Sequence, residues 1–157
     1  MFIDAQTQLS SAQAVTSTAV SSNTYDLGAV PSGGSANGAA IDPSIGEPLC
    51  VVITVGTAAD LASTDETYEF DVIQSASSNL GTPDTLVQVA FTHAQSAALT
   101  AGAIVVVPIP AGRISKRYLG LNYVTGGTTP SITCSAFITT LSAVQKQAYY
   151  TSAIVIN

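Results

Sequence analysis

Apolar and polar residues alternate over short stretches of this chain, and that period-two pattern predicts strands rather than helices. Tyr68, Phe70 and Val72 fall on one side of an extended backbone, with Glu69 and Asp71 on the other beside Ile73. Leu119, Leu121 and Tyr123 share a face in the same way, as do Ile132, Cys134, Ala136 and Ile138 opposite Thr133, Ser135, Phe137 and Thr139. The segments Ala14–Val20, Leu49–Thr57, Thr67–Ser75, Thr85–His93, Ile104–Pro108, Tyr118–Thr125 and Ser131–Leu141 are rich in Val, Ile, Thr, Tyr and Phe. Clusters of Gly, Pro, Asn and Ser separate them. With the short piece Tyr25–Leu27 they make about eight strands, and the tail offers a candidate ninth. Helix is expected only as one turn within Gln95–Gly102, closed by Gly102.

Short antiparallel strands at turn-punctuated spacing predict two packed sheets. The expected fold is all-β, a jelly roll or β-sandwich of about eight antiparallel strands with an extended C-terminal arm. A seven-stranded immunoglobulin sandwich fits less well, because the chain has no Trp for its Cys–Trp–Cys core. Residues 1–142 form the expected domain, and 143–157 the arm or an edge strand. Residues 28–48 lack apolar periodicity, and loops of that length inside a domain usually bind something or are disordered. Beyond Leu141 a polar spacer, Gln145-Lys146-Gln147, precedes Tyr149, Tyr150, Ile154, Val155 and Ile156. Side chains this apolar need a surface, so residues 143–157 are expected to act as an intermolecular arm, the rival being an intramolecular ninth strand.

Composition changes the picture in two ways. Charged residues are only 9%, against about a quarter in a typical soluble domain, so the surface falls to Ser, Thr, Asn, Gln and Gly. The formal net charge is −6, and three of the four bases, Arg113, Lys116 and Arg117, sit close together. Phosphate binding needs many distributed cations, so no direct nucleic-acid partner is expected. The basic knot follows the turn Pro110-Ala111-Gly112 and is expected to project towards an acidic partner, or to be a solvated turn with Arg117 paired locally. No apolar run approaches the roughly 18 residues of a membrane helix. Met1-Phe2-Ile3-Asp4 lacks the basic start of a secretory signal, so the chain is expected to stay where it is made or leave on lysis.

Candidate chemistry is sparse. Cys50 and Cys134 lie in apolar strand-like runs and read as buried, inert thiols. The one histidine, His93, reads as a strand-end residue facing solvent or an interface, with nothing to pair with it. Asp60, Asp65, Glu66, Glu69 and Asp71 form an acidic cluster whose spacing matches neither a calcium loop nor a glycosidase carboxylate pair. A solvated acidic strand end is the expectation there. No zinc spacing, nucleophile elbow or phosphate-binding loop occurs, so no cofactor, metal or enzymatic activity is expected.

Several motifs along the chain carry a resemblance. They are Asp4-Ala5-Gln6, Ser11-Ala12-Gln13-Ala14-Val15-Thr16, Asp26-Leu27-Gly28 and Gly46-Glu47-Pro48-Leu49 leading into Val51-Val52. Further on come Leu99-Thr100-Ala101-Gly102-Ala103, Pro108-Ile109-Pro110 and, most specific, Arg117-Tyr118-Leu119-Gly120-Leu121-Asn122-Tyr123-Val124. Over most of its length the chain resembles the jelly-roll capsid cement (decoration) proteins of short-tailed double-stranded-DNA bacteriophages. The 28–45 loop looks expanded relative to that pattern. The resemblance implies a structural protein added late to the outer capsid surface of a virion assembled in the host cytoplasm. It would bridge neighbouring major capsid protein subunits, stabilise the particle and associate with itself as a dimer or trimer. Candidate partner-contacting residues are then Arg113, Lys116 and Arg117 in the basic loop and Tyr149, Tyr150, Ile154 and Ile156 in the tail. The alternative is a carbohydrate- or receptor-binding β-sandwich, for which the missing Trp is a poor omen; a pilin-like donor-strand protein would have to be exported.

Overall fold

The computed structural model describes residues 5–28, 42–43 and 45–144. Among them nine strands form two antiparallel sheets. The first sheet has the order β1-β9-β4-β7, from Gln8–Val15, Ile132–Thr140, Leu49–Thr57 and Ile104–Pro108. The second has the order β2-β8-β5-β6, from Ala19–Val20, Tyr118–Gly126, Thr67–Ser75 and Asp84–Phe91, and the short β3 (Tyr25–Asp26) also pairs with β8.

The pairing is nested. β5 pairs with β6 at the centre of the sequence, β4 with β7 around it, β2 and β3 with β8 around those, and β1 with β9 outermost. One long hairpin rolled so that successive pairs fall in alternate sheets gives this arrangement, which is the jelly roll expected from the sequence. The inner faces supply the core: Val51, Ile53 and Val55 of β4, Tyr68, Phe70 and Val72 of β5, Leu119, Leu121 and Tyr123 of β8, and Ile132, Cys134, Ala136 and Ile138 of β9 are all buried. Phe70 meets Phe91 and Tyr123 edge to face, each at 5.9 Å between centroids. The hydroxyls of the two buried tyrosines are satisfied. Tyr123 donates to Ser10 Oγ at 2.8 Å, and Tyr68 donates to the Asp60 carbonyl at 2.8 Å.

Three expectations need correction. The run Ala14–Val20 is not one strand: β1 starts at Gln8 and ends at Val15, and Ala19–Val20 belongs to the other sheet. The early half of β1 is polar and irregular, with register shifts and Ala12 at φ +45°, so alternation does not reveal it. The strand expected over Thr85–His93 stops at Phe91. A helical turn, α1 (His93–Ser96), follows instead of starting at Gln95. Thr92 sets that start, because its hydroxyl accepts from the Gln95 N–H while the Gln95 side chain accepts from the Thr92 N–H at 3.0 Å, a capping box.

The strand directions sort the loops by end. Residues 16–18, 58–66, 92–103 and 127–131 lie at one end. Residues 76–83 and 109–117 lie at the other, where β3 ends, β4 begins, β1 starts and β9 finishes.

Candidate interaction surface

The end holding residues 109–117 is where the basic loop sits, and the structure shows how it is held. Gln74, the penultimate residue of β5, is buried and points its amide into this loop. Its Oε1 accepts from the Ser115 N–H at 2.8 Å and the Lys116 N–H at 3.1 Å. Its Nε2 donates to the Arg113 carbonyl and to Ser115 Oγ, each at 3.4 Å. From the other side the Ile114 N–H donates to Asp42 at 3.3 Å, and Ile114 itself is buried in the core. A loop clasped this way presents its side chains in a fixed arrangement.

The three cations do not share one role. Lys116 pairs with Asp84 at 2.7 Å. Arg117 forms a two-pronged pair with Asp26, Nε to Oδ1 at 2.7 Å and Nη2 to Oδ2 at 2.8 Å. It also lies 5.0 Å from the centre of the Tyr118 ring. The Arg117 guanidinium holds the Asp26 carboxyl below its ordinary value, and Asp26 raises Arg117 in turn. Of the two readings of the basic loop, local pairing of Arg117 is the one seen, and with Lys116 paired as well, two of its three charges are neutralised within the chain. Only Arg113 of the three is exposed, with no side-chain partner among the described residues. A recess of about 250 Å³ lined by Thr7, Tyr25, Pro43, Leu49, Ile138 and Thr140 opens where β4 begins and β9 finishes. Tyr149, Tyr150, Ile154 and Ile156 lie outside the described residues.

The acidic cluster is divided. Glu69 and Asp71 stand on the outer face of the second sheet, where burial and the neighbouring Asp71 carboxyl push Glu69 up. Asp71 also accepts from Asn122 at 3.3 Å. Asp60, Asp65 and Glu66 lie in the 58–66 loop and are spent on its shape. Asp65 accepts from the Thr128 N–H at 3.1 Å and hydroxyl at 2.9 Å, and these bonds hold its carboxyl below the ordinary range. Asp60 accepts from the Ala62 N–H at 3.1 Å. The expected solvated strand end is wrong for Glu66, whose side chain is fully buried. Burial pushes Glu66 up, but bonds from the Ser63 and Glu66 N–H groups outweigh that and leave it lowered. No group of three or more potential metal ligands occurs among the described residues.

His93 is not partnerless either. Its Nδ1 lies 3.5 Å from Glu66 Oε2, and neither atom has a hydrogen-bond partner among the described residues. The pair joins α1 to the foot of β5. The two residues meet because the β5–β6 register that sets Tyr68 opposite Phe91 continues to bring Glu66 opposite His93.

The cysteines sit on opposite faces of one sheet. Cys134 is inside the core, where burial pushes its thiol up to about 12, and Cys50 lies on the outer face, also buried and also raised. Both are free. β4 and β9 are neighbours, yet Cys50 is opposite Thr139 and Cys134 opposite Val55, so a bond between them would need the sheet to be dismantled.

Among curated proteins no match is found. A family model, Bbp16, matches residues 9–139, which takes in the sandwich from the second residue of β1 to the penultimate residue of β9. The chain therefore belongs to the Bbp16 family.

Proposed function

We propose that this protein is a capsid cement (decoration) protein, binding the outside of a bacteriophage head and bridging neighbouring major capsid protein subunits. One observation supports it most. The end of the sandwich that carries the clasped 109–117 loop also carries the exposed Arg113, the start of β1 and the finish of β9. That end offers a preformed cation to a partner, on a scaffold whose remaining charge is mostly acidic. Jelly-roll topology agrees with the family that the sequence resembles. Self-association as a dimer or trimer on the capsid completes the reading, with no enzymatic step, no cofactor and no direct nucleic-acid contact.

The test is to add the purified full chain to heads of the phage that encodes it, stripped of the protein, and to sediment them. Saturable retention on heads and a higher temperature of head rupture are expected. Retention on tails or host cells, or none at all, would overturn the proposal.

A further inference from the structure

The outer face of a sandwich sheet is ordinarily polar, because it meets water. The first sheet breaks this rule in a continuous row. Val106, Val52 and Phe137 lie side by side across β7, β4 and β9, because Val52 is paired with Val106 on one side and Phe137 on the other. Cys50 extends the row along β4, and together with Val52 and Phe137 it is buried in an apolar cluster separate from the core. The cover comes from the chain that follows β9. Residues 141–144 are helical, and Leu141 and Val144 pack on this cluster. The Leu141 N–H is fixed to the Pro48 carbonyl at 2.8 Å and the Ser142 hydroxyl to Glu47. Towards β7 the cover thins. Val106 is half-buried, and Ile104 on the same side of β7 is 62% exposed.

We propose that the outer face of the β1-β9-β4-β7 sheet is the seat of this chain's own C-terminal residues 149–156. The described chain stops at Val144 on this face, and residues 145–157 follow. At about 3.3 Å per residue they reach roughly 40 Å, against roughly 15 Å across four strands. Tyr149, Tyr150, Ile154, Val155 and Ile156 supply apolar groups for an apolar surface. A tether this short holds its end near the face at an effective concentration on the order of millimolar, which favours the chain's own tail over a neighbour's. The choice lies between the intermolecular arm and the intramolecular element foreseen from sequence, and the anchoring of residues 141–144 favours the second. It stands independently of capsid binding.

The two free thiols make the test. Cys50 reports the outer face and Cys134 the core, so maleimide labelling of the full chain is followed at each by mass spectrometry. Truncation after Val144, and separately the double substitution Ile154→Asp with Ile156→Asp in the full-length chain, are expected to speed Cys50 labelling at least tenfold and leave Cys134 unchanged. Protection of Cys50 in the unsubstituted chain is expected to be independent of protein concentration. If truncation unfolds the domain, Cys134 labels too and the double substitution decides. Wild-type labelling of Cys50 in that variant would overturn the proposal. So would protection that disappears on dilution, which would assign the cover to a second copy.

Discussion

Gly120 stands on the outer face of the second sheet opposite Ile73, and Leu80 lies over it. A Cβ there would come within 2.3 Å of Leu80 Cδ1 and 3.0 Å of Ser21 Oγ, so the close approach of the 76–83 loop depends on a missing side chain. Gly120→Ala is expected to cost about 1–3 kcal/mol, and adding Leu80→Ala should make the alanine at 120 less costly. A double-mutant cycle in urea checks this; strict additivity would mean that Leu80 is not the obstacle. Titration gives a second residue-scale expectation. The buried Cys134 thiol is pushed up to about 12 from an ordinary 9.0. Between those values the unfolded chain has lost a proton that the folded chain keeps, so stability falls as pH rises, by about 1.4 kcal/mol per unit for a thiol fully in that window. Asp26 and Asp65 act at the other end, since their lowered carboxyls stabilise at neutral pH and lose that contribution as pH falls through their folded values. Urea midpoints should therefore decline above about pH 9, with a shallower alkaline slope in Cys134→Ala. An unchanged slope would place the alkaline loss elsewhere.

At the scale of elements, legibility followed regularity. β4, β5, β7, β8 and β9 were readable within about a residue or two, because apolar alternation and β-branched content agree in them. β1 and β2 were not, since β1 is bulged and polar in its early half and β2 contributes two residues, whereas β3, equally short, was foreseen as the piece Tyr25–Leu27. Their stability comes from pairing with β8 and β9, which no local pattern records. The 58–66 loop shows the same dependence. Thr64 is held at φ +61°, a left-handed conformation costly for a β-branched residue, between Ser63, which donates its N–H to Glu66, and Asp65, which is fixed to Thr128. Thr64→Asn should raise stability by about 0.5–1 kcal/mol, because Asn tolerates this conformation. Thermal melts check it, and a fall in melting temperature would show that the threonine makes a compensating contact. Thr92→Ala should cost about 1 kcal/mol through the lost cap of α1. That same capped turn carries His93 to the buried Glu66.

For the whole molecule, the sequence revealed that the basic residues cluster but not which of them is free to bind. The pairs Arg117–Asp26 and Lys116–Asp84 form only because β3 and the start of β6 close on the same end of the sandwich. Gln74, which shapes the loop, reads in sequence as an ordinary polar position in a strand. Its buried amide and divided hydrogen bonds became visible only when β5 and the 109–117 loop were placed together. The consequence is a division of labour that substitution can expose. Arg117→Ala removes a two-pronged pair that fastens β3 to β8, so its effect should appear as a lower melting temperature of the isolated protein. Arg113→Ala should leave the melting temperature within experimental error. If the capsid reading holds, it should weaken retention on heads several-fold at low ionic strength, with the difference from wild type shrinking as salt screens the contact. Gln74→Leu should combine the two effects, because the loop would lose its clasp while Arg113 remained. Sedimentation with heads across a salt series, beside melts of the same variants, separates these outcomes. Equal retention of Arg113→Ala and wild type at low salt would remove Arg113 from the interface.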